Sequence, residues 1–389
     1  RKEIVMRIKA FDFWLLAKAA VTLLLCLVTT IGFANPDMIF NGLEYEYKYE
    51  KKRVIDANFE AKANYNLYLN GKYSDYKIVT WNENRVSFHV EIIVKSNRED
   101  VAKEAVNNID VEFYNRKDEA TIEARTVFKK YTFKNISYEI DYYVMIPKDL
   151  YLEIDNSYGN VEIDKLNKTL DLKLDYGNFS IDSIFTDAML DVDYGNVKVK
   201  YADKVKAVID YGNIRINSGN EVDVKMSYGN MNLDDVRTLN ANCRYSDVTC
   251  SDADYANLDM QYSDIYLKKI KEVTIDGRYS DVEIDRLLKK INFVSDYGDI
   301  EIDNVDRDFE LVDINANYAD ADITLSDGNS FSYDISVTYG DINNYYLKDK
   351  STRYIKEDNM TSLKGSFNDA TKAHYINIDL RYGDLDFDF

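Results

Sequence analysis

One three-residue phrase recurs along this chain: a tyrosine, a small residue, then asparagine or aspartate. It falls at Tyr158, Tyr176, Tyr194, Tyr211, Tyr228, Tyr245, Tyr262, Tyr279, Tyr297, Tyr318, Tyr339 and Tyr382. Successive spacings are 18, 18, 17, 17, 17, 17, 17, 18, 21, 21 and 43 residues, the last close to two 21-residue units. A period held this closely means one structural unit stacked on copies of itself.

Inside a unit, apolar and polar residues alternate at period 2, which predicts a half-buried strand. Leu170, Leu172, Leu174 and Tyr176 share one parity, and Asp171, Lys173 and Asp175 the other. Beyond the tyrosine the parity flips, so that Phe179 and Ile181 become the apolar pair. Val222, Val224, Met226 and Tyr228, then Met231 and Leu233, repeat the arrangement. A one-residue change of parity is what a bulge or tight corner produces. On this reading the small residue lets stacked backbones approach, and the Asn or Asp supplies a left-handed bend. The tyrosines count with the inward face, forming a ladder at about 4.8 Å per rung. Their neighbours at i−2 and i+3 are aliphatic, so the ladder is expected to be core packing rather than an aromatic binding stripe. The predicted fold is all-β, a single-stranded parallel β-helix (β-solenoid) with rungs of roughly 17–21 residues.

The array is expected over residues 151–389, with an insertion near 344–374 that breaks the pattern. Residues 35–57, charged and rich in tyrosine, read as a loose lead-in. Residues 58–150 read as a strand-rich capping module containing one short helix. Within it Leu67, Leu69, Tyr73, Tyr76 and Ile78 reproduce the repeat register as an isolated thirteenth copy. Ser96 or Asn97 is placed to cap the helix, with Glu99 and Asp100 in its first turn and Val101, Ala105 and Ile109 near one face. Solenoid ends need such covers, because an open strand edge pairs with other chains.

Residues 1–34 carry the features of an export signal. Arg7, Lys9 and Lys18 precede the apolar run from Ala19 to Val28, and Gly32, Phe33 and Ala34 offer small residues for cleavage near Asn35. A retained N-terminal anchor is the alternative. Cys26 lies in that run, and Cys243 and Cys250 fall at inward positions of one unit, where buried thiols are favoured over a disulfide. The chain has 69 acidic against 49 basic residues, a net charge of −20. That sign excludes nucleic acid as a partner, since phosphates require Lys and Arg.

The Tyr73–Trp81 strand, the Asn97–Asn108 helix, the signal-like N-terminus and the long run of Tyr-Gly-Asn/Asp units resemble a family. It is the exported bacterial β-strand-repeat "putative adhesin" family, related to head-GIN adhesin-like domains. The resemblance implies a parallel β-helix outside the cytoplasm and carries no catalytic residues. The Ser-Asp corners at Tyr245, Tyr262 and Tyr279 and the insertion near 344–374 depart from the pattern.

Chemistry is sparse. The two histidines, His89 and His374, stand apart in sequence, and no nucleophile elbow, P-loop or zinc motif occurs. No catalytic residue is assigned and no cofactor is expected, Ca2+ being the one candidate ion. The corner column reads Asn at 160, 178, 196, 213 and 230, then Asp247, Asp264, Asp281, Asp299, Asp320, Asp341 and Asp384, and the expected ion site is its six aspartates from Asp247 to Asp341. Stacked carboxylates about 4.8 Å apart repel by about 0.9 kcal/mol in water and about 3.5 at an effective dielectric of 20, so a bridging cation would relieve them. The competing account is that each carboxylate simply caps its own wet turn. The resulting expectation is an exported, non-enzymatic cell-surface or periplasmic scaffold with a surface, glycan or envelope-protein ligand. Membrane attachment is expected only through an uncleaved N-terminus. A carbohydrate-active enzyme on the same fold, or an envelope signalling or stress accessory protein, are the alternatives.

Overall fold

The computed structural model describes residues 47–62, 64–129, 134–368 and 374–388. The expected signal segment 1–34 and the first part of the lead-in lie outside these residues. Among the described residues, no helix is long and apolar enough to cross a membrane.

The chain is a β-solenoid. It begins with β1 (Tyr49–Glu60), β2 (Asn66–Lys72), β3 (Ser74–Trp81), β4 (Arg85–Ser96) and helix α1 (Glu99–Asn108). Then come β5 (Ile109–Arg116), β6 (Thr121–Phe128), β7 (Ile136–Pro147), β8 (Tyr151–Ser157), β9 (Val161–Leu166) and β10 (Leu170–Asp175). β11 (Phe179–Asp193), β12 (Val197–Asp210) and β13 (Ile214–Gln261) each run through more than one side of the coil. β14 (Ile265–Leu267), β15 (Ile270–Arg278), β16 (Val282–Ile284), β17 (Leu287–Asp296) and β18 (Ile300–Val305) continue it.

Each rung has two sides joined at the tyrosine corner. The sides stack as two parallel columns, one before the tyrosine and one after it, in strict register. Leu172 lies on Ile154 below and Leu190 above, and Phe179 lies between Val161 and Val197. Leu170, Leu172 and Leu174 of one column and Phe179, Ile181 and Ile184 of the other are all buried, so the core is the space between the columns. The alternation read from the sequence therefore places these faces correctly. Cys243 and Cys250 are buried and free, and burial pushes both thiols up to about 12.

Two assignments at the corner are overturned. Every corner tyrosine, Tyr73 included, has a positive φ of 52–63°, whereas the following Asn or Asp has not. The bend is therefore made by the tyrosine. A left-handed residue reverses the pleat at its own position, so the side chain that period-2 counting sends inward swings outward. The ladder tyrosines are accordingly 37–53% exposed, not core. The small position keeps its expected role. A Cβ on Gly195 would lie 1.8 Å from the Gly177 carbonyl oxygen, so backbone approach leaves no room there. In the middle of the array Ser246, Ser263 and Ser280 take that place, buried. Ser263 Oγ accepts from Ser246 N at 2.9 Å and donates to Gln261 O at 3.0 Å.

Both ends interrupt the sequential order. The isolated copy β2–β3 stacks directly on β8–β9 despite the intervening residues, with β6 and β7 parallel beyond it. β5 then pairs antiparallel with β6, and β4 with β7. α1 starts after Arg98, with no side-chain cap, and buries Ala102, Ala105 and Val106 rather than Val101. The lead-in is also less loose than expected, since β1 already forms by Tyr49 and pairs with β4.

At the other end lie β19 (Leu311–Asn317), β20 (Ala321–Leu325), β21 (Phe331–Thr338) and β22 (Ile342–Asn343). Helix α2 (Tyr345–Lys350), β23 (Ser351–Glu357), β24 (Met360–Phe367), β25 (Tyr375–Arg381) and β26 (Leu385–Asp388) complete the chain. The last copy does not close the stack. β25 inserts between β19 and β21, and β26 between β20 and β22. The insertion supplies the cover instead: β24 runs antiparallel to β21, with β23 antiparallel beside it.

Two predictions follow from these contacts. Ser263→Ala keeps the Cβ but strands the buried Ser246 N–H, and should cost about 1–3 kcal/mol in denaturant unfolding. A loss below about 0.5 kcal/mol would show that the hydroxyl file is dispensable. In the N-terminal cover, Asp75, Asp141 and Glu91 lie side by side across β3, β7 and β4. Burial, then Glu139, Asp75 and Glu91, push the Asp141 carboxyl from 3.8 to about 6. A carboxyl raised on folding destabilises the native state once it must ionise. The penalty is absent below the unfolded value and complete above the folded one. Asp141→Asn should thus raise the thermal midpoint at pH 7–8, with the gain vanishing by about pH 4; an equal gain at both would discard this account.

Candidate functional site

The strongest surface feature is the corner edge, where two files of side chains run along the stack. The first is the tyrosine ladder, in spatial order Tyr73, Tyr158, Tyr176, Tyr194, Tyr211, Tyr228, Tyr245, Tyr262, Tyr279, Tyr297, Tyr318, Tyr382, Tyr339. From Tyr158 onward, successive ring centroids are 4.6–5.1 Å apart and the rings lie within 7° of parallel. Tyr73 joins at 5.2 Å and 22°. Because each ring covers its neighbour's face, the ridge offers ring edges and hydroxyls to water. Binding of a base or a sugar by stacking needs a free aromatic face, which the interior of this ladder lacks. Partial desolvation by the stack, then the neighbouring tyrosines, raise the Tyr194 and Tyr297 phenols above their ordinary value.

The second file is the Asn/Asp column. It starts one rung earlier than expected, at Asp75, whose Oδ1 accepts from Asn160 Nδ2 at 3.2 Å. Asn178 then donates to Asn160 Oδ1 from its backbone N at 3.0 Å and its amide at 3.1 Å, and Asn196 and Asn213 repeat this. The aspartates keep the backbone half of the pattern. Asp247 Oδ1 accepts from Asp264 N at 3.1 Å, and Asp299 Oδ1 from Asp320 N at 2.8 Å. Each carboxylate therefore caps the next rung's corner rather than its own, which corrects the simple turn-cap account. The predicted ion-site residues Asp247, Asp264, Asp281, Asp299 and Asp320 do lie on successive rungs. Asp384 separates Asp320 from Asp341, accepting from Asp341 N at 2.7 Å. Sequence order alone hides this insertion.

Beside the aspartates lies a groove of about 630 Å³, lined also by Glu283, Glu301, Asp322 and Asp386. Burial, then Asp303, Asp322 and Glu283, push the Glu301 carboxyl up; burial, then Asp386, Asp388 and Asp303, do the same to Asp322. The equivalent face of the N-terminal half is instead laced by pairs such as Lys200–Asp182 and Arg215–Asp234. The flanking acids follow from reading the first outward residue after each corner, a signal present in the sequence. Among the described residues, no group of three or more His, Cys, Asp or Glu is arranged to hold a metal ion.

The histidines are engaged elsewhere. His89 Nδ1 meets Asp56 at 2.7 Å and its Nε2 meets Glu91 at 3.3 Å, in the N-terminal cover. His374 Nδ1 lies against the Phe309 carbonyl oxygen.

Solved structures similar to the chain include three bacterial proteins. A putative cell adhesion protein from Clostridium sporogenes has 10% identity, covering 87% of this chain and 99% of its own, at a TM-score of 0.22. A putative adhesin from Bacteroides fragilis has 16% identity over 60% and 97%, at 0.35. A putative adhesin from Parabacteroides merdae has 13% identity over 70% and 92%, at 0.27. No curated protein matches the chain. Residues 74–386, from the first stacked copy to the last, match the model of the Toastrack DUF4097 family, and the chain belongs to that family.

Proposed function

We propose that this chain is an exported, non-enzymatic scaffold that binds through its corner edge, with the C-terminal acidic groove as the docking face for cationic groups. The observation that carries this reading is the groove itself. Carboxylates recur there on each rung, and in two of them, Glu301 and Asp322, burial and then the charge of neighbouring carboxylates push the carboxyl above its ordinary value. The part of that rise contributed by neighbouring carboxylates is a negative field that a bound cation would neutralise. A ligand with ammonium groups along an extended backbone matches the repeat. Ca2+ is a second occupant, held by successive aspartates with water completing its shell. The non-enzymatic part rests on regularity: ladder and column repeat from rung to rung, whereas a catalytic centre would single one out.

Two measurements test the proposal. A short oligolysine peptide at physiological salt should bind the wild type and lose most of its affinity in Asp264→Asn/Asp281→Asn. Asp171→Asn/Asp191→Asn, on the outward side of the other column, should leave binding unchanged. Equal losses in both pairs would reduce the effect to net charge. In the same protein, millimolar Ca2+ should raise the thermal midpoint more than NaCl of matched ionic strength; equality would remove the ion from the proposal. For export, mature protein from the native host should begin near Asn35 by intact mass. Retention of residues 7–34 would replace secretion with anchoring.

A further inference from the structure

The ladder is a file of phenols held in register, and the acidic docking face of the binding proposal does not use it. Successive rings are carried on the same backbone conformation, φ 52–63°, and lie within 7° of parallel from Tyr158 onward. They are thus related by nearly pure translation. On that translation the matching ortho carbons of successive rings face one another at the centroid spacing, 4.6–5.1 Å. That is the approach by which two phenoxyl radicals combine.

We propose that the ladder is an oxidative modification site. One-electron oxidants of the peroxidase–peroxide class act on it, the radical moves between stacked rings, and neighbouring rungs become joined as dityrosine. The chemistry balances as follows. Each of two phenols gives up one electron and one proton, becoming a phenoxyl radical. The two radicals form one carbon–carbon bond between ortho carbons, and the hydrogens on those carbons move to the oxygens, restoring both phenols. One hydrogen peroxide takes up the two electrons and two protons and leaves as two waters.

Three features of the fold favour this outcome. The ring edges are open to water, since ladder exposure is 37–53%, so an oxidant and the released proton both have access. Cys243 and Cys250, the two thiols of the array, are buried and held as thiols. And since these two thiols form no disulfide, a carbon–carbon link would be the covalent tie between rungs that this architecture otherwise lacks in its described part.

The geometry also dictates which pairs form. Tyr382 stacks on Tyr318 at 4.6 Å and on Tyr339 at 4.7 Å, so the last tyrosine separates two that are neighbours in the repeat order. Tyr346, at 72%, is more exposed than any ladder tyrosine and stands outside the file.

The test treats the folded chain with a haem peroxidase and limiting hydrogen peroxide, then maps cross-linked peptides. Expected are dityrosine fluorescence, a monomer lighter by two hydrogen masses per link, and pairs such as Tyr194–Tyr211, Tyr318–Tyr382 and Tyr382–Tyr339, without Tyr318–Tyr339. Tyr382→Phe keeps the stacked ring and should abolish both Tyr382 links while leaving Tyr194–Tyr211 intact. The same treatment in concentrated urea keeps the test independent of that variant, since these pairs should lose their preference there. Absence of dityrosine, links dominated by Tyr346 and Tyr354, links mainly between molecules, or the same pairs in urea would each overturn the proposal.

Discussion

The structure depends on a strained corner that only its own repetition stabilises. A left-handed backbone costs a residue with a Cβ about 1–2 kcal/mol. A lone tyrosine in that conformation has no compensation. Stacked on its copies, each ring gains an aromatic contact of about 0.5–1.5 kcal/mol beyond buried area. The Asn or Asp two residues on gains a hydrogen bond from one rung to another. The corner is thus close to neutral in an array and unfavourable in isolation. This is a physical reason for the chain to repeat it with so little variation.

The same corner sets the surface. Turning the tyrosine outward clears the core for small and aliphatic side chains, and the Gly or Ser position allows the backbones to close. The column beside it then has two regimes. Asparagine both donates and accepts along the stack, so it saturates itself. Aspartate keeps the bond to the next rung's N–H but brings a negative charge to the groove side in place of a neutral amide. The switch from amide to carboxylate changes little in the backbone, and it turns the C-terminal half from a self-satisfied edge into one with a strong negative field.

The ends follow from the exposure of strand edges. At each end a sequence-distant segment supplies a rung, and antiparallel strands with a helix cover what remains. Insertion of β25 and β26 inside the stack leaves β21, itself covered by β24, and the two-residue β22 as outer strands. The final residues of the repeat pattern are thereby enclosed between rungs.

The amino-acid sequence by itself determined the repeat length, the strand alternation, the buried faces of Leu170 to Ile181 and their copies, and the need for small corner residues. These depend on local spacing, and a period-2 pattern records which side chains share a face. It was silent on where parity changes within the corner. Whether Tyr176 or Asn178 takes the left-handed conformation leaves Phe179 and Ile181 facing inward either way. Only the stack decides it, because a ring file outside is stabilised by neighbours that no single unit contains. The placement of Tyr382 between Tyr318 and Tyr339 was likewise invisible to spacing. Every unit offers nearly the same edge, so register alone cannot order them; the tertiary structure orders them by which ends can be covered.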